Sequence, residues 1–265
     1  LDRSKRAFEL DFLRGFSISM MILHHFAFDI RYLVGKDVFS IIESDLFDQV
    51  LQPIFLIIFV LISGICCQFS RDNFKRAIKL LIVAMAFSLV MAVFSFVSKE
   101  SLFVFFNILH LLTVGTFLFA LYDLWERKTA HNRLDPCGNE IRHSVRGEIM
   151  ILILAGVIIY SDQLFRGIGS DIGSYALLPL GFLPDNYLGM GDYLPLIPWL
   201  GFFFIGVMVG RFGYADKQSL FLRTPSWIRR LFVPLEWVGR NSLLVYLIHQ
   251  PIILGVLYLL GYIKF

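Results

Sequence analysis

The fold class predicted by this sequence is an all-α polytopic membrane protein: one helical bundle of about seven transmembrane helices, with its N-terminus in the cytoplasm. Three observations carry that expectation. The 265 residues are 57% hydrophobic and only 17% charged, with a mean hydropathy of +0.70, whereas soluble domains carry about 25% charged residues. The apolar runs approach the ~20 residues that a spanning α-helix needs, and they lack the short alternating segments of an outer-membrane barrel. The loops alternate in basic charge along the chain. Residues 1–265 read as a single domain.

The spans are expected at residues 14–33, 51–69, 77–98, 103–125, 148–165, 193–211 and 241–262. Segments 1–14, 70–79, 126–148 and 211–240 hold 19 of the 24 Lys and Arg residues. The positive-inside rule puts these segments in the cytoplasm and the C-terminus outside. Segment 29–50 has Asp37, Glu43, Asp45 and Asp48 among Phe and Ile and predicts a short amphipathic surface helix. Segment 166–192 is glycine-rich, and its apolar stretch Tyr175–Leu183 contains Pro179. That stretch is too short to span, so it predicts a re-entrant or lid-like piece. Loop 126–148 is the most polar stretch and predicts disorder.

Cys66 and Cys67 are neighbours in an apolar run and Cys137 is in a loop, a spacing that fits neither a disulfide framework nor a zinc site. No metal and no nucleic-acid partner are expected. The N-terminal run lacks a small-residue cleavage site, and no Asn-x-Ser/Thr sequon occurs. A multi-pass plasma-membrane location, as in a bacterial inner membrane, is the expectation. Gly206 and Gly210 form a small-xxx-small pair for close helix packing, within the chain or in a homo-oligomer.

A bilayer core tolerates ionisable groups poorly, so those inside the spans point to a site. His24, His25 and Asp29 fall within six residues of the first span. At 100° per residue, Asp11, Arg14, Ile18, Met21, His25 and Asp29 share one stripe. Arg14 and His25 are about 20° apart around the axis and roughly 16 Å apart along it. His24 points about 100° away, so His25 is the expected working residue, with Asp29 one turn on to orient its ring. Asn107 and His110 share a face near the outer end of the fourth span, where they could meet His25 or Asp29. Ser242, Tyr246 and His249 form a stripe on the last span. Arg240 and Asn241 precede it at a helix N-terminus, a setting that suits a phosphate. Asp192 precedes the sixth span on the outer side. The alternative reading for these groups is an Asp11–Arg14 interfacial ion pair, a helix cap, a solvated loop charge and interhelical hydrogen bonds that fix packing.

A histidine in a dry site can act as a general base toward an amine or hydroxyl, or attack a thioester itself. Cations at the cytoplasmic mouth suit an anionic donor from the cytosol. Acyl-CoA meets both conditions, with its phosphates at the surface and its thioester reaching inward.

Three motifs extend this reading: Phe8-Glu9-Leu10-Asp11-Phe12-Leu13-Arg14-Gly15 followed by His24-His25; Asn107-Ile108-Leu109-His110; and Trp237-Val238-Gly239-Arg240-Asn241-Ser242-Leu243-Leu244-Val245-Tyr246 with His249. Together, and in this order, the motifs resemble the heparan-α-glucosaminide N-acetyltransferase catalytic-domain family of the transmembrane acyltransferase superfamily. The resemblance implies transfer of an acetyl group from cytosolic acetyl-CoA to an amine or hydroxyl of a sugar or glycan presented from the other side, within membrane lipid. It carries over onto Asp11, Arg14 and His25, and then onto His110, Asn241 and His249. Joined to the reading of the residues, it gives His25, Asp29 and His110 as the expected catalytic residues and Arg14, Arg240, Asn241 and Ser242 as the expected donor-binding residues, with His24, Asn107, Asp192, Tyr246 and His249 binding substrate. The lysosomal members carry an asparagine where this chain has His25, and their catalytic histidine lies beyond the helix. Residues 30–50 here contain no histidine, so His25 is expected to supply the base and the lysosomal acceptor does not carry over. The alternative function is a proton-coupled small-solute transporter using the same buried histidines.

Overall fold

The computed structural model describes residues 7–98, 104–130, 145–166, 175–183, 192–221 and 224–263. Among these residues the regular structure is helical. The α-helices are α1 (Phe8–Phe28), α2 (Gln52–Ile65), α3 (Asn73–Ser98), α4 (Ile108–Ala130), α5 (Val145–Arg166), α6 (Trp199–Gly213), α7 (Ser226–Arg240) and α8 (Ser242–Leu259). Each predicted span coincides with a helix. Among the described residues, five helical segments are long and apolar enough to cross a membrane: Phe47–Ile65, Asn73–Phe96, Ile108–Thr129, Val145–Phe165 and Ser242–Leu259. In α1 the charges of Glu9, Asp11 and Arg14 dilute the apolar run, and α6 is apolar but only 15 residues long.

Two expectations need correction. Segment 29–50 is not one amphipathic helix. It is a wide, π-type turn at Asp29–Leu33, a 3-10 turn at Ser40–Glu43 and a second π-type turn at Phe47–Leu51. Gly35 and Phe39 both take left-handed backbone angles, with φ of 73° and 59°, which an α-helix cannot pass through. Segment 211–240 is not simply a basic loop, because α7 lies within it. Ile228, Phe232, Leu235 and Gly239 recur at helical spacing on its inward face, and Pro225 stands just before its first residue. At 15 residues α7 is too short to register as a span. The stretch from Tyr175 forms a 3-10 helix to Leu180. It is held by the Tyr193 hydroxyl donating to the Leu178 carbonyl at 2.6 Å and by Leu196 N–H donating to the Pro179 carbonyl at 2.7 Å. Cys137, most of the polar loop (131–144) and much of the glycine-rich segment (167–174, 184–191) lie outside the described residues.

The chain divides into two compact units, Leu1–Ile62 with Asp216–Phe265, and Ser63–Ala215. In the first, α1 packs along α7 and also touches α8. Phe8, Asp11, Gly15 and Ile18 form the buried face of α1 at helical spacing. A Cβ on Gly15 would overlap the Leu235 carbonyl, and one on Gly239 would overlap the Asp11 carbonyl. The two glycines therefore set the closest approach of the helices. Phe12 and Phe232 pack with ring centroids 4.3 Å apart. Glu9 accepts from the Ser219 hydroxyl at 2.7 Å and from the Leu220 N–H at 2.9 Å, which ties the start of α1 to the approach to α7. Gly15→Ala is expected to destabilise the protein by ~1–3 kcal/mol, because neither backbone can retreat from the added methyl. Gly156→Ala, whose Cβ would meet nothing within 4 Å, is the control. Thermal unfolding in detergent measures both, and equal midpoints for the two variants would contradict this account of the crossing.

In the second unit α4 packs on α3 and α6, and α5 packs on α6. Glycines again permit contact: a Cβ on Gly201 would meet the Ala155 carbonyl at 2.8 Å, and one on Gly210 the Ile65 carbonyl at 2.8 Å. In a bilayer, such close packing replaces the hydrophobic drive between helices. At the end of α6, Arg211 donates from Nη2 to Glu126 Oε2 on α4 at 2.8 Å. The Phe119 and Tyr122 rings face its guanidinium at 5.4 and 5.2 Å.

Candidate active site

The first unit brings together polar groups from α1 and α8. On α1, His25 lies in the last turn, and the backbone N–H of Asp29 donates to the carbonyls of His25 and Phe26. The helix then widens into the π-type turn, a distortion that recurs at functional sites. On α8, Tyr246, His249, Ile253 and Leu257 form the buried face, so the stripe expected from Tyr246 and His249 does point inward.

The His25 and His249 rings face each other with centroids 5.1 Å apart. His249 Nδ1 lies 2.5 Å from the Tyr246 carbonyl oxygen. That oxygen can only accept, so Nδ1 carries the proton, and Nε2 is the basic nitrogen of the neutral ring. Asp29 is 3% exposed, and its Oδ2 accepts from Gln250 Nε2 at 2.8 Å. His24 faces elsewhere, its ring stacked on Phe47 at 5.2 Å. Helical geometry thus separates the two histidines as the 100° step predicts.

The first and last of the three sequence motifs also meet. Where Gly15 crosses Gly239, Asp11 Oδ2 accepts from Arg240 Nε at 3.3 Å, and Glu236 Oε2 accepts from Arg240 Nη2 at 2.5 Å. The Arg240 side chain stays 44% exposed between these carboxylates. Asn241 interrupts the helix between α7 and α8, its side-chain Nδ2 donating to the Trp237 carbonyl at 2.9 Å. Ser242 opens α8. Arg14 is half-buried on α1.

The second unit holds Asn107, His110 and Asp192. Asn107 is fully buried, and its Oδ1 accepts from the Leu109 N–H at 3.0 Å and lies 2.9 Å from His110 Nδ1. It therefore caps α4 and orients the histidine ring together. Its backbone bridges to Tyr193, next to Asp192.

Two site residues escaped the sequence reading. Gln250 directly follows His249 and was a polar residue in a span, a signal that was present. Glu236 had no signal, because its partner Arg240 becomes visible only once α7 is known to be helical, at i+4.

Just beyond Asp29, Arg31 clamps the outer loop. It meets Glu43 through Nε–Oε1 at 2.6 Å and Nη2–Oε2 at 2.7 Å, and Asp37 through Nη1 at 2.7 Å. The Tyr32 hydroxyl donates to Glu43 Oε1 at 2.7 Å. The Arg31 hydrogen bonds, then that of Tyr32, hold the Glu43 carboxyl below its ordinary value of 4.5. A depressed folded-state value means the clamp contributes fully above about pH 4.5 and is lost as pH falls through the lower, folded value. Hydrogen-exchange protection of residues 34–46, taken relative to the intrinsic rate at each pH, is therefore expected to fall below pH 4.5, and Glu43→Gln to remove most of that pH step. Protection that is flat with pH in the parent protein would contradict the clamp.

Fold and clusters together define the class: a multi-pass membrane protein with ionisable side chains gathered on the inner faces of its apolar helices. Residues 6–130 and 143–251 match the family described as heparan-alpha-glucosaminide N-acetyltransferase, catalytic, and the chain belongs to that family. Membership makes it a membrane acetyltransferase by family and bears out the resemblance drawn from the three motifs. No curated protein and no solved structure matches the chain.

Proposed function

We propose that this protein transfers the acetyl group of cytosolic acetyl-CoA to an amine or hydroxyl of a sugar or glycan on the opposite side of a plasma membrane, as in a bacterial inner membrane. The observation that carries the reading is the pairing of His25 with His249 beside the Asp29–Gln250 hydrogen bond, in a chain of an acetyltransferase family. The acceptor's N–H or O–H yields its proton to His25 as its nitrogen or oxygen attacks the thioester carbonyl. The C–S bond then breaks and the thiolate takes up a proton, so the products are the acetylated acceptor and free coenzyme A. Asp29 supports the imidazolium that forms on His25.

Arg14, Arg240, Asn241 and Ser242 hold the anionic head of the donor, drawing on cationic side chains and the N-terminus of α8. His24, Tyr246 and His249 shape the site. Within the second unit Asn107 orients His110, and Asp192 stands beside Tyr193, which bridges to Asn107. The family match runs through both compact units, which supports treating residues 1–265 as one catalytic domain, and the alternation of basic segments supports an N-terminus in the cytoplasm. A proton-coupled transporter is not favoured, since the family match is to acetyltransferases.

The test is incubation of the purified protein in lipid nanodiscs with labelled acetyl-CoA and a cell-envelope glycan extract, alongside thermal unfolding with coenzyme A. Labelled glycan and a saturable upward shift in midpoint are expected, because a ligand that binds only the folded state stabilises it. No label transfer together with no shift at millimolar coenzyme A would overturn the proposal.

A further inference from the structure

Gln250 is a polar residue in an apolar helix whose two amide ends have different surroundings. Its Nε2 donates to Asp29 Oδ2 at 2.8 Å. Its Oε1 is buried and has no hydrogen-bond partner. Asp29 Oδ2 takes the amide NH2, which turns the carbonyl the other way. A buried carbonyl of this kind calls for a donor. The residue before it is His249, whose ring faces His25, and Asp29 lies one turn from His25 on α1. The carbonyl therefore stands in the same group of side chains as the proposed base.

We infer that Gln250 is an acceptor-binding residue: its side-chain carbonyl takes a hydrogen bond from a hydroxyl or amine hydrogen of the acceptor other than the one passed to the base. The inference rests on the acetyltransferase reading above and deepens it. It makes Gln250 a specificity residue, which reads a second hydrogen-bond donor beside the reacting group of the acceptor. Asp29 then has a second task. By holding the amide NH2 it fixes which end of Gln250 meets the acceptor, so the site selects donors and disfavours groups that only accept. A site built around such a hydrogen bond rejects an analogue lacking the donor far more strongly than an apolar pocket rejects a missing methylene.

The test uses methyl α-glucosaminide, an amino alcohol, as the acceptor probe. It is titrated calorimetrically against the full-length protein in nanodiscs, with and without coenzyme A. In Gln250→Met the apolar side chain keeps the length but loses the amide. Affinity for the probe is expected to fall roughly ten- to a hundredfold, while affinity for coenzyme A stays within about twofold, which also reports that the variant is folded. A second variant, Asp29→Asn, keeps Gln250 but lets two amides pair in either direction. It is expected to weaken the probe as well, because the Gln250 carbonyl is then occupied in one of the two arrangements. Unchanged probe affinity in Gln250→Met, or no probe binding by the parent protein, would overturn the inference. Failure of the parent protein to bind coenzyme A would strike the acetyltransferase reading instead, and the titration run without coenzyme A keeps the two outcomes apart.

Discussion

His25→Ala is expected to lower acetyl transfer by about 10²–10⁴-fold, the span that a positioned general base contributes, while the protein still folds and inserts. That loss corresponds to roughly 3–5 kcal/mol of barrier. The His25 ring stands against His249 at the end of α1, one helical turn before Asp29, which bonds Gln250. His24→Ala is the informative comparison. Its ring stacks on Phe47, so truncation is expected to raise the acceptor KM by a smaller factor and to spare most of kcat. Initial rates with labelled acetyl-CoA distinguish the two, with the coenzyme A-induced thermal shift as the check on folding. Turnover near the parent value in His25→Ala would remove His25 from the role of base. His249, with Nε2 as its basic nitrogen, would be the next residue to examine.

Glu126→Ala is expected to be the most damaging single change for stability, at about 3–5 kcal/mol, because it leaves the Arg211 guanidinium buried without its carboxylate. The side chains of this pair are 1% and 3% exposed, and Arg211 Nε and Nη1 already lack hydrogen-bond partners. Little remains to compensate the cation. Glu126 also takes the Tyr122 hydroxyl at 3.2 Å, so its removal disturbs the ring that covers the guanidinium. Replacing both partners with apolar residues of similar volume, Glu126→Leu with Arg211→Met, is expected to recover most of the loss, because neither charge then needs desolvation. Fluorescence-detected gel filtration after a heat challenge reads all three proteins. A double variant as unstable as Glu126→Ala would show that the pair's geometry, rather than the stranded charge, supports the α4–α6 contact.

The helices were legible wherever the apolar run was long. α3, α4, α5 and α8 each announce themselves, and α1 and α6 were found despite their charges and shorter length. α7 escaped because its apolar face is one side of a short, basic helix, and hydropathy averaged over a window cancels the two sides. The 29–50 segment misled for the opposite reason. Its acidic and apolar residues alternate as in an amphipathic helix, yet left-handed backbone at Gly35 and Phe39 breaks it into turns. At the site, His25, Asp29, Tyr246 and His249 could be picked out because ionisable or polar groups at helical spacing stand out against apolar neighbours. Gln250 was overlooked although it carries the same kind of signal. Glu236 could not be recognised before α7 was known.

The amino-acid sequence alone determined the membrane class, the positions of seven helices, the family, and which face of α1 carries His25. Each follows from local quantities: apolar run length, a fixed turn of 100° per residue and the order of short motifs. Only the tertiary structure decided the partners. It set Arg240 between Asp11 and Glu236, brought His249 against His25, gave Gln250 to Asp29 and buried Arg211 on Glu126. These pairs join residues from 4 to 229 positions apart. What brings most of them together is close helix approach, which at the crossing of α1 and α7 depends on Gly15 and Gly239 having no side chain, and a single sequence does not state which helices will cross there.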